Sequence, residues 1–482
     1  MNEPYLVNID PKLNKSLFLD FWKVPYKIGI EENINLHLLL GKKLGGEREN
    51  SIIMLPGNMD PEFFLVSDSF YIFARVRQLE KIPDGIEKIA SIRNRNGEVV
   101  SYIIKNTQKK SIYIPFSIDE VMVNYHYERY IQKARTVPPK ILINLFYTFK
   151  PLIPRRVQIT LRAYLTKFQS KIKFPRWPTE TSLEDFKRFI FGLFAGAAKT
   201  KKIPFVWFWP NNKKYCLVLT HDVEGVTGWR NIGRIISLEK GLGFKSSFNI
   251  IPKSNYIKSE VLDSIKRGGF EIGVHGYNHD GRLFSSKKIF EERIKKINEI
   301  AEQWGARGFR SPSTYRNPDW YNLMELDYDS SFPDSDRYEP QPGGCLSIFP
   351  YFIGKIIELP ITMPQDFTLF ALLEQKDAQI WREKAEEIKK RTGMICLIAH
   401  PDKGYIGDKD NEKLYREFLD FLKDDESQWN ALPKEVANWW KRRYYAEIVC
   451  DGGKLRIKAG APEMVIKWGK FVDNRLKIED CT

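Results

Sequence analysis

From Lys214 onward the chain repeats one pattern, a short apolar run followed by a longer amphipathic one. CLVLT precedes WRNIGRIISLEKG, KSSFNII precedes SEVLDSIKRG, EIGV precedes SSKKIFEERIKKINEIAEQWG, and GFR precedes DWYNLMEL. IIELPIT then precedes QIWREKAEEIKKRTG, and MICLIA precedes NEKLYREFLDFLKD. Apolar runs without polar alternation read as strands buried on both faces, and the intervening segments read as helices. Six such alternations predict an α/β fold built on a parallel sheet or barrel. In that architecture ligand chemistry gathers at the carboxyl ends of the strands.

The polar residues at those ends are unusual. Cys216 to Glu224 reads CLVLTHDVE, an apolar run that stops at Asp222 and Glu224 on either side of a valine. Strand alternation points both carboxylates the same way. EIGV runs into HGYNH, which sets His275 and His279 four residues apart among Gly276, Asn278 and Gly281, a spacing that can chelate one ion from a compact loop. With Glu224 or Asp222 as a third ligand, this makes a His₂-carboxylate site with coordination positions left for water and substrate. GFRSP puts Arg310 at a further strand end, where a guanidinium can orient a carboxylate and keep it ionised. LIAHPD puts His400 after a wholly apolar strand. A metal to polarise a carbonyl, a carboxylate to take a proton from water and a histidine to protonate a departing amine together predict metal-assisted amide or ester hydrolysis.

With 482 residues the chain is long enough for two or three domains. Residues 1–200 read as an α+β accessory region, 205–425 as the barrel, and 426–482 as a helix followed by a small β tail with GG and GAP turns. The accessory region's histidines, His37 and His126, stand alone among apolar or aromatic neighbours and read as structural. The formal charge of +15 points to an anionic partner surface. No acid occurs from Arg129 to Thr179, and on a helix Val157, Leu161, Tyr164, Leu165, Phe168 and Ile172 lie opposite Arg155, Arg156, Arg162, Lys167, Lys171 and Lys173. That basic amphipathic helix suits either packing on the next domain or peripheral contact with an anionic membrane surface. Nucleic acid is the weakest partner, since no reader motif accompanies the charge. Five scattered cysteines without a CxxC are expected to be free thiols. With no apolar run near the roughly 18 residues of a span and no basic-then-apolar leader, the expected location is cytoplasmic, peripheral at the inner membrane face if the basic helix binds there.

Taken in order and at barrel-strand spacing, THDVEG, HGYNH, FRSP and IAHPD resemble the motifs of the NodB-homology polysaccharide deacetylases, carbohydrate esterase family 4. The resemblance covers about residues 205–425. It implies an irregular (β/α) barrel of about seven strands, a divalent metal (zinc first, cobalt or nickel as alternatives), and removal of acetyl groups from N-acetylated sugars in a glycan or lipid-linked glycan precursor. By position it makes Asp222 the catalytic base, Glu224, His275 and His279 the metal ligands, Arg310 the base-orienting arginine and His400 the general acid. The first motif departs from the commoner pair of adjacent aspartates, because Val223 intervenes and a glutamate stands at the metal position. The family's Asp-Trp motif is not found. YDSSFPD, with Asp329 and Asp334, or PQDFTLF, with Asp366, stands in that part of the cleft. Asp402, two residues past His400, reads as a turn acid or as its orienting partner. Rival readings are a cyclic-amide or other small C–N hydrolase on the same barrel, and a barrel that binds glycan without catalysis.

Overall fold

The apolar run that ends in THDVE forms β1 (Tyr215–Val223), and all nine of its residues are buried. The computed structural model describes residues 5–7, 16–24, 26–28, 36–37, 51–55, 57–79, 82, 86–107, 111–134, 164, 166–198, 202–254, 257–472 and 475–481. It divides into two compact units, each assembled from separated stretches of chain. One comprises Ala134–Glu180 and Lys213–Trp440, the other Met1–Lys133, Thr181–Asn212 and Lys441–Thr482.

The first unit is the α/β layer that the alternation predicts. In chain order its strands are β1, β2 (Ser246–Ile250), β3 (Glu271–His275), β4 (Gly308–Arg310), β5 (Tyr328–Asp329), β6 (Tyr351–Ile353), β7 (Ile356–Glu358), β8 (Met394–Ala399) and β9 (Gln428–Asn430). They lie in the order β6-β7-β5-β4-β3-β2-β1-β8, with β9 also on β1. Every pairing is parallel except the β6–β7 hairpin. The sheet curls. Beyond β7 the amides of Thr362 and Met363 donate to Cys396 O on β8, both at 3.1 Å. Thr362 Oγ1 donates to Met394 O at 2.7 Å and accepts from Cys396 N at 2.8 Å. Thus β8 has β1 on one side and the 362–363 stretch on the other, and the strand ends converge on one mouth.

Helices α1 (Val226–Gly241), α2 (Ser259–Arg267), α3 (Lys287–Trp304), α4 (Gln379–Lys390) and α5 (Lys409–Leu422) make the crossovers. The sequence logic is plain in α3. Ser286 caps its first turn by accepting from Ile289 N, and Gly305 ends it with φ 61°. Phe290, Ile294, Ile297 and Ala301, spaced by three or four, are its buried face. The segment DWYNLMEL departs from the helix expected of it, forming a short 3₁₀ turn at Pro318–Leu323. A proline opens that turn after Asn317, whose side chain accepts from Asp319 N and so competes with a longer α-helix.

The second unit carries a nine-stranded sheet running through Ser51–Met54, Glu62–Val66, Phe70–Ala74, Glu87–Arg93 and Val99–Asn106. A separate sheet pairs Lys202–Val206 with Ile466–Val472 from the β tail. Helix Ser182–Ala197 buries Phe186, Ile190, Phe191 and Phe194. His126 is buried, and burial pushes its pKa well below the usual histidine range, as expected of a structural imidazole. The five cysteines are free thiols. Most of the basic amphipathic helix expected at 155–172 lies outside the described residues. Residues 166–169 are helical, and Tyr164 and Phe168 are exposed. The following stretch docks within the barrel's unit, where Arg337 Nη1 donates to Ser170 O and Ser335 Oγ to Pro178 O.

One glycine tests the curl directly. A Cβ on Gly308 would stand 1.8 Å from the ring of Tyr328, itself buried with its hydroxyl donating to Glu271. Gly308→Ala is expected to destabilise the protein by about 1–3 kcal/mol, read as a lowered urea midpoint with unchanged m-value.

Candidate metal centre and active site

The sheet delivers its polar side chains to one end. Asp222 is the penultimate residue of β1 and Glu224 the first beyond it. Strand alternation turns both toward β3, so that Asp222 Oδ2 and Glu224 Oε1 each lie 3.9 Å from His275 Nε2. The chain then turns at Gly276, φ 61°, where a Cβ would meet Pro312 at 2.4 Å. His279 follows at φ 52°, a left-handed conformation uncommon outside glycine and found where function holds the backbone under strain. This turn carries His279 Nε2 to 2.8 Å from Glu224 Oε1.

The ligand atoms of Glu224, His275 and His279 all lie within 4.8 Å of one another. His275 Nδ1 faces the carbonyl of Arg310 at 3.2 Å, so it is the N–H of that ring and Nε2 presents a lone pair. The Nε2 atoms of His275 and His279 are both buried without a hydrogen-bond partner, the short approach to Glu224 lacking the alignment for one. Two orphaned imidazole nitrogens and a carboxylate turned toward one point fit a divalent ion of the zinc type, and this donor set leaves room for further ligands.

Asp222 belongs to a different environment. Its Oδ1 accepts from Asn249 Nδ2 at 2.8 Å, and its Oδ2 lies 3.6 Å from Arg310 Nη1. Burial would raise its pKa, but Arg310, then His275 and His400, and the Asn249 amide hold it below the usual aspartate value. Arg310 is itself wholly buried and clamped, its Nη2 donating to Thr220 Oγ1 and Ser330 Oγ, each at 3.1 Å. Glu224, opposed by burial but facing His279 and His275, is held well below the carboxylate range.

His400 faces the same space, with Nε2 3.9 Å from Glu224 Oε1. Its Nδ1 and backbone N each lie 2.7 Å from the two oxygens of Asp366. Burial disfavours the imidazolium, but the Asp366 carboxylate overrides this and pushes the His400 pKa up to about 10. Of Asp329, Asp334 and Asp366, the three acids that the sequence offers for this part of the cleft, Asp366 is the one that meets His400. It sits at the start of a π-helical turn, Phe367–Leu372, an irregularity common at functional sites. Asp334 pairs instead with buried Lys384 at 2.8 Å, and Asp329 turns toward Glu358.

The turn-acid reading of Asp402 describes its contacts, since it accepts from the amides of Glu224 and Gly228 at 2.9 and 3.0 Å. A Cβ on Gly228 would stand 2.2 Å from its carboxylate. Asp402 thus fixes the chain that carries Glu224 without touching the imidazole nitrogens. His221, the strand-end histidine of the first motif, points away from the mouth: its Nε2 meets Glu239 at 2.6 Å, beside Tyr415 and Ser246 on the same carboxylate. Asn249 is not among the residues the sequence points to, because SSFNI has three polar residues in five and its amide does not stand out. Gly273 makes room for it, because a Cβ there would lie 2.1 Å from Asn249 Oδ1.

No protein-family model and no curated protein matches the chain. Solved structures do. A putative polysaccharide deacetylase from Mycobacterium smegmatis matches at 18% identity, over 52% of this chain and 98% of its own, with a TM-score of 0.41. A probable polysaccharide deacetylase from Pseudomonas aeruginosa PAO1 matches at 16%, over 48% and 93%, with a TM-score of 0.40. Puue allantoinase matches at 15%, over 49% and 94%, also with a TM-score of 0.40. The chain is similar to polysaccharide deacetylases.

The geometry of the site yields a pH test. Because the Asp366 carboxylate raises His400, Asp366→Asn should lower the pKa of His400, by about 1–3 units for loss of an adjacent opposite charge. The alkaline limb of the rate–pH profile should then move to lower pH while the acid limb stays. An alkaline limb that does not move would separate His400 from that step.

Proposed function

We propose that this protein is a metal-dependent hydrolase that removes an N-acetyl group from an acetamido sugar in a glycan or glycan precursor. The observation that carries the reading is the convergence, within about 4 Å steps, of three metal-ligating atoms, an arginine-held carboxylate and a carboxylate-held histidine. The substrate class follows the motif resemblance. Glu224, His275 and His279 would hold the ion, which when bound supplies a Lewis acid for the amide carbonyl.

The remaining steps fall to the chain's own groups. Asp222, ionised and fixed by Arg310 and Asn249, accepts the proton of the attacking water as its oxygen bonds to the carbonyl carbon. Arg310 keeps the carboxylate in one orientation. His400, with its proton on Nε2 and Asp366 at Nδ1, gives that proton to the sugar nitrogen as the C–N bond breaks. Acetate and a free amine leave. The low pKa of Asp222 and the high pKa of His400 put base and acid in the required forms together at neutral pH.

Acetate release from N-acetylglucosamine oligomers, with metal content measured on the same samples, tests the division of labour. Asp222→Asn should lower turnover by on the order of 10²–10⁴-fold with the ion retained, and His275→Ala or His279→Ala should lose the ion. If Asp222→Asn strips the ion while Glu224→Gln keeps it, the two carboxylates have been assigned the wrong way round. Hydrolysis of cyclic amides but not acetamido sugars would move the protein to the C–N hydrolase reading on the same machinery.

A further inference from the structure

A second pair of acids lies next to this machinery and takes no part in it. Asp329 on β5 and Glu358 on β7 are register partners on adjacent parallel strands, and both are wholly buried. Their side chains therefore leave the sheet on the same side. Asp329 is also the partner of Phe309, so that side is opposite the one bearing Arg310. Asp329 Oδ1 accepts from Ser331 Oγ at 2.6 Å. Glu358 Oε1 accepts from the amides of Ser331 and Phe332 at 3.1 and 3.0 Å. The other two oxygens, Asp329 Oδ2 and Glu358 Oε2, are buried without a hydrogen-bond partner, and the two carboxyl groups face each other with the Tyr321 hydroxyl beside Asp329.

Two carboxyl groups can hydrogen-bond only if one of them carries a proton. Two adjacent buried carboxylates without it would face several kcal/mol of desolvation each, as well as mutual repulsion. The titratable group facing the pair is Tyr321, from the turn at Pro318–Leu323, and the field of Arg310 reaches both acids from the other side of the sheet. Burial, then Asp329, pushes Glu358 well above the carboxylate range, and burial raises Asp329 as well.

The pair also reaches the active site through two serines. Ser331 Oγ, donating to Asp329, accepts from Ser311 N at 2.8 Å. Ser330 Oγ accepts from Arg310 Nη2 and donates at 2.7 Å to the carbonyl of Leu359, the residue after Glu358. We infer that Asp329 and Glu358 share one proton and act as a positioning pair that, through Ser330 and Ser331, fixes Arg310 behind Asp222. The importance of Arg310 rests on the function proposed above, whereas the shared proton and the placement of the arginine do not.

Both are measurable without turnover. The full-length protein at neutral pH should show the infrared carbonyl band of a protonated, water-shielded carboxyl group, lost in Glu358→Gln and in Asp329→Asn. Each amide mimics the protonated acid, so both variants should fold. The unfolded chain releases the proton that the folded chain keeps, so wild-type stability should fall as pH rises from the ordinary carboxylate range toward the raised value. In Glu358→Gln that slope should be shallower. Arginine side-chain ¹⁵N spectra, with Arg310 assigned by its loss in Arg310→Lys, report the second half of the inference. Glu358→Ala and Ser331→Ala should shift or broaden the Arg310 signal, and Glu358→Gln should restore it. No protonated-carboxyl band, or an Arg310 signal indifferent to both Glu358→Ala and Ser331→Ala, would overturn the inference. A wild type with band and signal as expected but no deacetylation would instead count against the proposed function alone.

Discussion

Asp222 is 4% exposed, and a carboxylate that has lost its water remains charged only where fixed donors and positive charge replace it. Arg310 and Asn249 do so, and each reaches Asp222 from a different strand. Arg310 is in turn held by Thr220, two residues before Asp222 on β1, and by Ser330 just past β5. The register of β1, β2, β4 and β5 therefore sets the surroundings of Asp222, and a slip anywhere between β1 and β5 would leave a buried charge unmatched, at a cost of about 3–5 kcal/mol. Fold stability and proton chemistry depend on the same contacts.

The two carboxylates of β1 illustrate how environment divides labour between like groups. Asp222, still within the strand, finds donors and a guanidinium. Glu224, one residue past the strand and held at its backbone by Asp402, finds the Nε2 atoms of His275 and His279, neither of which has a hydrogen-bond partner. The extra methylene of a glutamate suits a ligand that must reach from the strand end to the turn carrying His279. Across the mouth, Asp366 grips His400 by both the ring and the backbone amide, and this leaves Nε2 as the ring nitrogen that faces the mouth.

Much of this was legible in the sequence because it follows local rules. Strand runs buried on both faces, helical periods and caps are written in consecutive residues, and strand ends place Asp222, Glu224, His275, Arg310 and His400 together once a parallel sheet is assumed. What could not be read was set by contacts distant along the chain. Asp366 meets His400 across 34 residues, and nothing local distinguishes it from Asp334, which finds Lys384 instead. His221 shares its motif with Asp222, yet alternation sends it to the opposite face, where Glu239, Tyr415 and Ser246 enclose it. Asn249 is one of three polar residues in the five of SSFNI, and its contact with Asp222 appears once β2 lies beside β1.

If the proposed division of labour holds, Glu224, His275 and His279 form one metal centre while Asp222 stands apart from it. Anomalous scattering at the zinc edge from crystals grown with zinc tests it most directly. One strong peak is expected at about 2.0–2.2 Å from a Glu224 carboxylate oxygen and from Nε2 of both histidines, with Asp222 still hydrogen-bonded to Asn249. A peak whose ligands omit Glu224 or His279, or no peak at this mouth at all, would contradict it.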